Sequence, residues 1–214
     1  MRLGYSANIV RTAPAQEAIS YHKVNFNSDL FYSSRFRGPP RPELDATWHD
    51  LLENSNIRLS SEELRRLGKS SVALADGSGY YGALNVHHHL HCLKSVRQYA
   101  HQEYYNITNA DKEEHLDHCL DDIRQALMCH ADISVFTYDW IPSYRKPLPN
   151  FKVAHECVDW ELLGNWTRER SFSLYDQKSL IHPDLGVSFP KANGPVEANA
   201  WNLDRRLIFP DKVH

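Results

Sequence analysis

The sequence predicts a mainly α-helical fold with irregular arms and a few short strands. Two long stretches, about 87–105 and about 111–129, repeat apolar residues at the spacing of a helix. Because the connection between them is short, the two helices are expected to form a central antiparallel hairpin. Eleven prolines and eleven tyrosines indicate long irregular segments outside this region.

The segments before the hairpin are predicted to be shorter. They comprise an extended arm at 1–44, helices at 45–54 and 61–67, and strands at 71–75 and 80–86. Asp45 is the expected N-cap of the first short helix. Ser60 or Ser61 is expected to cap the second, because Glu63 follows in its first turn.

After the hairpin the helical pattern breaks. A strand is predicted at 132–138, a helix at 158–170 and an irregular tail at 171–214, where Trp201 and Phe209 are expected anchors. The length of 214 residues favours a single domain over 1–214, with its core at 45–170. Four other aromatic residues are interpreted as core or pocket wall: Trp140, Tyr144, Trp160 and Trp166.

The chain carries one motif twice. Residues 88–98 read HHLHCLKSVRQ, and residues 115–125 read HLDHCLDDIRQ. Both copies contain His-x-x-His-Cys, so four imidazoles and two sulfurs fall within one short stretch. That composition is typical of a metal site.

The motif histidines are predicted to be metal ligands because each pair lies within one helical turn, and packing of the two helices would bring the pairs together. The predicted ligands are His88, His91, His115 and His118. Imidazole suits copper or zinc. The alternative is that disulfides link the two helices of the hairpin and that the histidines bind no metal.

Other polar residues near the motifs are weighed separately. Asp122 follows His118 by four residues and is expected to orient the His118 ring without itself binding the metal. His155 is expected to serve as a catalytic proton shuttle or a fifth ligand. The remaining histidines of the region are interpreted as polar surface cover: His87, His89 and His101.

The even number of cysteines is compatible with two disulfides, formed among Cys92, Cys119, Cys129 and Cys157. Oxidised cysteines would leave histidine-only ligation, which suits copper. Reduced cysteines would favour zinc held by histidine and cysteine. The pairings Cys92–Cys119 and Cys92–Cys129 both stay open.

Charge and composition limit the partners and the compartment. The net charge of -3 argues against a nucleic-acid partner. The sequence contains no run of about eighteen apolar residues, which is about the length that a helix needs to span a membrane. Two glycosylation sequons, Asn106-Ile107-Thr108 and Asn165-Trp166-Thr167, together with the even cysteine count, favour the lumen of the secretory pathway.

These motifs resemble the UstYa-like family of fungal secondary-metabolite proteins. The resemblance rests on the two copies of HxxHC. It extends to RGPPRPELDATW at 37–48, RQALMCHADIS at 124–134 and HECVDWELLGNW at 155–166, and so covers most of residues 16–170.

The resemblance implies an oxidative tailoring enzyme that uses copper, one or two ions, with O2 as co-substrate. Cyclisation, hydroxylation or halogenation of a peptide or small natural product is the implied chemistry, and the motif histidines are the implied ligands. Family members usually carry an N-terminal membrane helix, so the native form is expected to be anchored by a helix that this chain lacks. A homodimer, or a heterodimer with another family member, is an assembly that the resemblance allows.

Two further functions stay open at this point. One is a zinc-dependent or metal-free lyase, dehydratase or cyclase that uses histidine as general acid and base. The other is a non-catalytic partner subunit for a second tailoring enzyme.

Overall fold

The computed structural model describes residues 13–26, 28, 32–107 and 111–190, with residues 111 and 112 described by their backbone alone. Trp201, Phe209 and Thr108 lie outside these residues. Within the described residues the chain forms a short 3-10 helix (Pro14–Ala18) and five α-helices. The α-helices are α1 (Pro42–Asp50), α2 (Ser61–Leu67), α3 (Asn85–Tyr99), α4 (Asp111–Cys129) and α5 (Trp160–Arg170). The described chain therefore combines helices with short strands and irregular segments, as the sequence predicts.

The described strands are short and pair two by two in antiparallel sheets. The pairs are β1 (Tyr21–Asn25) with β6 (Ala154–Val158), β2 (Ile57–Leu59) with β3 (Tyr80–Gly82), β4 (Thr137–Asp139) with β5 (Leu148–Asn150), and β7 (Ile181–His182) with β8 (Gly186–Val187). The first pair joins the N-terminal arm to the segment that leads into α5. In its register Val24 lies opposite His155.

Two apolar clusters form the core of the described residues. The first packs α5 against the 3-10 helix and β2, through Ala15, Ile57, Leu163 and Trp166. The second lies under β3 and contains Leu74, Phe172 and Leu180. Since Phe172 and Leu180 belong to the predicted irregular tail, part of that tail contributes to the core.

Local sequence signals set the ends of two helices. The Ser60 hydroxyl accepts a hydrogen bond from the Glu63 amide (3.2 Å), and the Glu63 carboxylate accepts one from the Ser60 amide (2.7 Å). This capping box starts α2 where the sequence predicts it. The Asp159 carboxylate accepts hydrogen bonds from the amides of Glu161 (3.0 Å) and Leu162 (3.1 Å), and so starts α5.

Helix α1 begins at Pro42, so the prediction that Asp45 caps it is wrong. Arg41 takes the N-cap position without a side-chain hydrogen bond. Proline suits the first helical position because its fixed φ matches the helix and its missing N–H needs no partner there. The helix ends at Asp50, and turns follow at 51–54 where a helix is predicted.

Asp45 instead faces inward and joins α1 to α3. Its carboxylate accepts a hydrogen bond from Arg97 (3.3 Å) and another from the Tyr105 hydroxyl. Arg97 also donates to the Tyr105 hydroxyl (2.6 Å), and its side chain is only 13% exposed. This polar cluster fixes the C-terminal part of α3.

Several predicted boundaries near α3 and α4 differ from the structure. Helix α3 begins at Asn85 and ends at Tyr99, and turns follow at 100–106. The strand predicted at 71–75 is reduced to a single bridge at Ala73, and the strand predicted at 132–138 is confined to Thr137–Asp139. Helix α4 has the predicted bounds and packs against α3.

Large apolar side chains remain exposed after α4. Trp140 is 75% exposed and Tyr144 is 51% exposed, so these two residues do not belong to the core, and the alternative that they line a pocket stays a prediction, whereas Trp166 is buried as expected. Across the described part of the chain, none of the helices has both the length and the apolar character needed to cross a membrane.

Candidate metal centre

The four motif histidines come together where α3 faces α4. Across the two helices, the ring centroids of His88 and His118 lie 5.4 Å apart, and those of His91 and His115 lie 5.6 Å apart. Along each helix the spacings are 6.2 Å for His88 and His91 and 6.3 Å for His115 and His118. The four rings thus form one cluster with two members from each helix.

The closest approach in this cluster joins two nitrogens. The Nε2 atoms of His88 and His118 are 3.2 Å apart, and the Cys92 sulfur lies 3.7 Å from the same His88 nitrogen. Potential ligand atoms of these three residues lie within 4.8 Å of one another. The second motif is built alike, because the Cys119 sulfur lies 3.7 Å from Nε2 of His115.

The two motif cysteines meet in the interior. Both are fully buried, and their side chains contact each other through a hydrogen bond. Burial raises the pKa of both thiols, so they stay protonated at neutral pH in the metal-free protein. Cys129 is exposed, Cys157 is half-buried, and all four cysteines are free in the structure.

Burial also keeps three of the motif histidine rings uncharged at neutral pH. It is the largest cause that lowers the pKa of His88, His91 and His115. For His91 the pKa falls to about 4, with smaller contributions from the neighbouring rings of His115 and His88. Neutral imidazole is the form that binds a metal ion, so these rings are ready to act as ligands at neutral pH.

Asp122 spans the two helices. From α4 its Oδ2 atom lies 3.3 Å from Nε2 of His89 and 3.6 Å from Nε2 of His88, both on α3. The sequence assigned this carboxylate to His118 on its own helix, whereas the structure brings it to His88. This carboxylate lies beside the same Nε2 atom of His88 that faces His118, so it adds negative charge next to the cluster.

His155 belongs to a different cluster. Its Nδ1 atom lies 2.5 Å from the Asp132 carboxylate, and its ring stacks on Phe26 with centroids 4.0 Å apart. Hydrogen bonds from Ser134, followed by the one from His155, lower the pKa of Asp132 to about 2. The structure therefore places His155 in a His–Asp pair, and its predicted catalytic role stays a prediction.

Two histidines at the start of α3 were misjudged from the sequence. His87 is buried, with only 5% of its surface exposed, and its ring meets the edge of Trp160 at 5.9 Å, so its interpretation as surface cover is wrong. His89 is half-buried against Asp122. Three successive histidines spread over about 200° of a helix, so they do not share one narrow face, although this pattern does not show which of them is buried.

Comparison with known proteins identifies the family. A family model described as "Mycotoxin biosynthesis protein UstYa" matches residues 6–170, which is more than half of the chain. The chain belongs to the UstYa family. The matched region includes both copies of the motif and therefore all four clustered histidines, so the cluster is part of the family domain.

Curated relatives in the UstYa family carry names that describe enzymes. "UstYa family oxidase aprY" of Aspergillus flavus is 31% identical over 168 residues, covering 68% of this chain and 50% of the relative. "UstYa family oxidase phomYc" of Diaporthe leptostromiformis is 29% identical, covering 64% and 59%. "Chlorinase cctP2" of Talaromyces islandicus is 29% identical, covering 60% and 41%.

The chain spans about half the length of these curated relatives, between 41% and 59%. No solved structure matches the chain.

Proposed function

We propose that this chain is a copper-dependent oxidative tailoring enzyme of fungal natural-product biosynthesis. In this proposal α3 and α4 form an antiparallel hairpin whose four motif histidines hold the metal. The observation that carries it is the 3.2 Å separation between the Nε2 atoms of His88 and His118. The antiparallel arrangement is supported by the order of contacts, since the later His91 meets the earlier His115.

The spacing of the two nitrogens fits a shared ion. A metal–imidazole bond is about 2.0–2.1 Å long, so two ligands at a tetrahedral angle have nitrogens about 3.3 Å apart. The observed 3.2 Å lies close to that value. The same distance also suits a hydrogen bond between two neutral rings, which is why metal analysis decides the matter.

The chemistry of the donors favours copper when the cysteines are bridged. Cys92 and Cys119 contact each other, so a disulfide between them would remove both sulfurs as ligands and leave imidazole nitrogens. Imidazole-only sites suit copper. A bound copper ion would supply one-electron oxidation chemistry with O2 as the co-substrate.

The residues of the chain would prepare this centre in three ways. Helices α3 and α4 fix the imidazoles in place, so little side-chain entropy is lost on metal binding. Asp122 would place negative charge beside the ion, because its Oδ2 atom lies 3.6 Å from the same Nε2 atom of His88 that faces His118. His118 is exposed and His88 is 35% exposed, so one side of the cluster is open to a substrate.

Names among the relatives support oxidation or halogenation as the class of reaction. Two are called oxidases and one is called a chlorinase. We therefore place cyclisation, hydroxylation and halogenation of a peptide or small-molecule intermediate within the scope of the proposal. A homodimer or a heterodimer with another family member remains part of it, as does work in the secretory-pathway lumen.

The decisive experiment is metal analysis of protein purified from a secretory host. We expect about one or two copper ions per chain, and a Cu(II) spin-resonance spectrum with nitrogen couplings from imidazole. His118→Ala should lose the copper while keeping the circular dichroism of the wild type, because His118 is exposed.

The matched control is His101→Ala, which removes an exposed histidine that follows α3. It should keep both the copper and the spectrum. Equal copper in His118→Ala and wild type, with unchanged nitrogen couplings, would show that the cluster is not the metal site.

A second candidate function is zinc-dependent or metal-free acid–base catalysis of a dehydration or cyclisation. It is favoured by one observation, the Cys92 sulfur beside His88 and His118, which is a zinc-like donor set. Zinc in the purified protein, free thiols and turnover without O2 would support this candidate over the copper oxidase.

A further inference from the structure

One oxygen of the Asp122 carboxylate is buried beside the histidine cluster without a hydrogen bond. Although 28% of the side chain is exposed, its Oδ2 atom is closed to solvent, and no described residue donates a hydrogen bond to it. No arginine or lysine of the described ranges forms an ion pair with Asp122 either. Removing an ionised carboxylate from water is unfavourable unless a hydrogen bond or an opposite charge compensates for it. A cation beside this oxygen would supply that compensation.

Two ring nitrogens of α3 lie close to this oxygen. Nε2 of His89 is 3.3 Å away, and Nε2 of His88 is 3.6 Å away. Neither contact has the geometry of a hydrogen bond, because Oδ2 has no hydrogen-bond partner in the described part of the chain. The carboxylate of α4 therefore reaches across to α3 and stops beside the nitrogen that faces His118.

The neighbouring carboxylate on the same helix has ordinary partners. Asp121 accepts hydrogen bonds from Nε of Arg124 (2.8 Å) and from the side-chain amide of Gln125 (2.7 Å), and its side chain is 55% exposed. Adjacent residues of a helix point about 100° apart, so Asp121 faces solvent while Asp122 faces α3. Helix α4 thus offers a matched pair of carboxylates, of which only Asp122 lies against the cluster.

The distance between His88 and Asp122 fits two ligands of one ion. Metal bonds to imidazole nitrogen and to carboxylate oxygen are about 2.0–2.2 Å long, so ligand atoms 3.6 Å apart subtend an angle of about 120° at a shared ion. A water molecule makes longer contacts, of about 2.7–3.0 Å, and needs more room than the ion. The closure of Oδ2 to solvent is therefore compatible with a metal bond.

We propose that Asp122 is an anionic ligand of the ion that His88 and His118 bind, and that it makes the centre favour a divalent ion over a monovalent one. The imidazoles are neutral donors, whereas the carboxylate brings a full negative charge to the ion. Mixed nitrogen and oxygen ligands suit Cu(II). The inference rests on the proposed function for the presence of an ion at the cluster, and it adds an oxygen ligand that binds the metal directly.

The test is titration of the metal-free full chain with Cu(II) alone and, without oxygen, with Cu(I) alone, each against a competing chelator. We expect Asp122→Asn to weaken Cu(II) at least about 10-fold and Cu(I) less than about 3-fold, because a lost negative charge matters more to the ion of higher charge. Each 10-fold fall in the ratio of the Cu(II) to the Cu(I) affinity raises the reduction potential of bound copper by about 59 mV. Asp121→Asn makes the same change at the exposed carboxylate and should alter neither affinity.

A second variant separates a ligand from a nearby charge. Asp122→His places an imidazole where the carboxylate lies, and it should add the coupling of one more nitrogen to the Cu(II) spin-resonance spectrum. Asp121→His adds the same ring on the exposed side of α4 and should leave the spectrum unchanged. Circular dichroism equal to that of the wild type shows that each variant is folded. A folded Asp122→His protein without the additional coupling would contradict direct binding.

The outcomes also separate this inference from the proposed function. If Asp122→Asn binds Cu(II) within about 2-fold of the wild type while His118→Ala loses it, Asp122 is not a ligand and the proposed function stands. A folded wild type that binds no divalent metal would overturn both. Two imidazoles and one carboxylate also suit Fe(II). Iron in the purified wild type that is lost in Asp122→Asn and kept in Asp121→Asn would support the ligand but overturn copper as the metal.

Discussion

The motif histidines are able to bind a metal cation, and most of them also resist taking up a proton. Each ring is polar enough to bind a cation, yet burial disfavours the charged form of three of them and lowers the pKa of His88, His91 and His115. Repulsion from the neighbouring rings adds to this effect. These three rings therefore stay neutral in the metal-free protein at neutral pH.

This neutrality predicts that the metal-free protein becomes less stable below neutral pH. Unfolded histidine takes up a proton near pH 6.5, whereas folded His91 resists until about pH 4. Between these values the unfolded chain binds more protons, so the free energy of unfolding falls as the pH falls. Urea unfolding in the presence of a chelator, from pH 8 to pH 4, measures this slope.

The variant His91→Gln should flatten the pH dependence between pH 6.5 and 4, because it removes the histidine whose pKa burial lowers to about 4. His101→Gln, at an exposed site, should leave it unchanged. A slope in His91→Gln equal to that of the wild type would mean that other groups control acid stability.

The convergence of these histidines follows from the sequence, because a repeat with i, i+3 spacing on two adjacent helices leaves few other arrangements. Their role as ligands stays a prediction. His87 was misjudged, because its burial depends on the distant Trp160 in α5, and no local pattern contains that contact. Asp122 lies near His88 and His89 of the other helix, a contact that a pattern within one helix does not contain, and its predicted role beside His118 stays a prediction.

Two arginines that are equivalent in the two copies of the motif make different contacts in the folded chain. Arg97 and Arg124 occupy the same position in the two copies of the motif. Arg97 is 13% exposed and binds Asp45 and Tyr105, thereby holding α3 against α1. Arg124 is 55% exposed and pairs with Asp121 within its own helix (2.7 Å). The repeat predicts two helices, whereas tertiary contacts decide which arginine supports the fold.

We therefore expect Arg97→Ala to destabilise the protein by about 2–3 kcal/mol, because it leaves the Asp45 carboxylate partly buried without its cation. Arg124→Ala is the matched control and should cost about 0.5 kcal/mol or less, as is usual for an exposed ion pair. Urea unfolding of both variants checks the difference. Similar losses in the two would show that the α1–α3 contact contributes little.

The contact between Cys92 and Cys119 predicts a disulfide that links α3 to α4 in protein from an oxidising compartment. Closing the loop between these residues should stabilise the fold by about 3.5 kcal/mol in the loop-entropy description. Peptide mapping without reductant should recover the two motif segments joined through these residues. Unfolding with and without reductant measures the stabilisation.

Mapping also distinguishes the alternative pairing left open by the sequence. Cys129 is exposed at the end of α4, whereas both partners of the expected bridge are fully buried. A peptide joining Cys92 to Cys129 would therefore contradict the packing of α3 on α4. Free thiols at both motif cysteines, in protein from a secretory host, would favour the zinc candidate instead.

For the whole molecule, the sequence predicts helices better than the contacts between distant segments. Helix α4 has the predicted bounds, and α2 begins at its capping box, because both depend on neighbouring residues. The sheet of β1 and β6 was missed, since it pairs residues 21–25 with residues 154–158 across most of the chain. Because of that sheet, part of the predicted irregular arm, 1–44, forms a strand that pairs with the segment leading to α5. The division of the chain into arm, core and tail stays a prediction.

A metal ion shared by α3 and α4 would stabilise the whole molecule, because it binds only when both helices are in place. At a metal concentration about 100 times Kd, binding adds about 2.7 kcal/mol to the free energy of unfolding. We therefore expect Cu(II) to raise the Tm of the wild type, and a chelator to reverse the rise. His88→Ala should lose the effect, since this ring contacts both His118 and Cys92, whereas His101→Ala should retain it. An equal rise in His88→Ala and wild type would place the ion elsewhere, and a larger rise with Zn(II) than with Cu(II) would favour the zinc site.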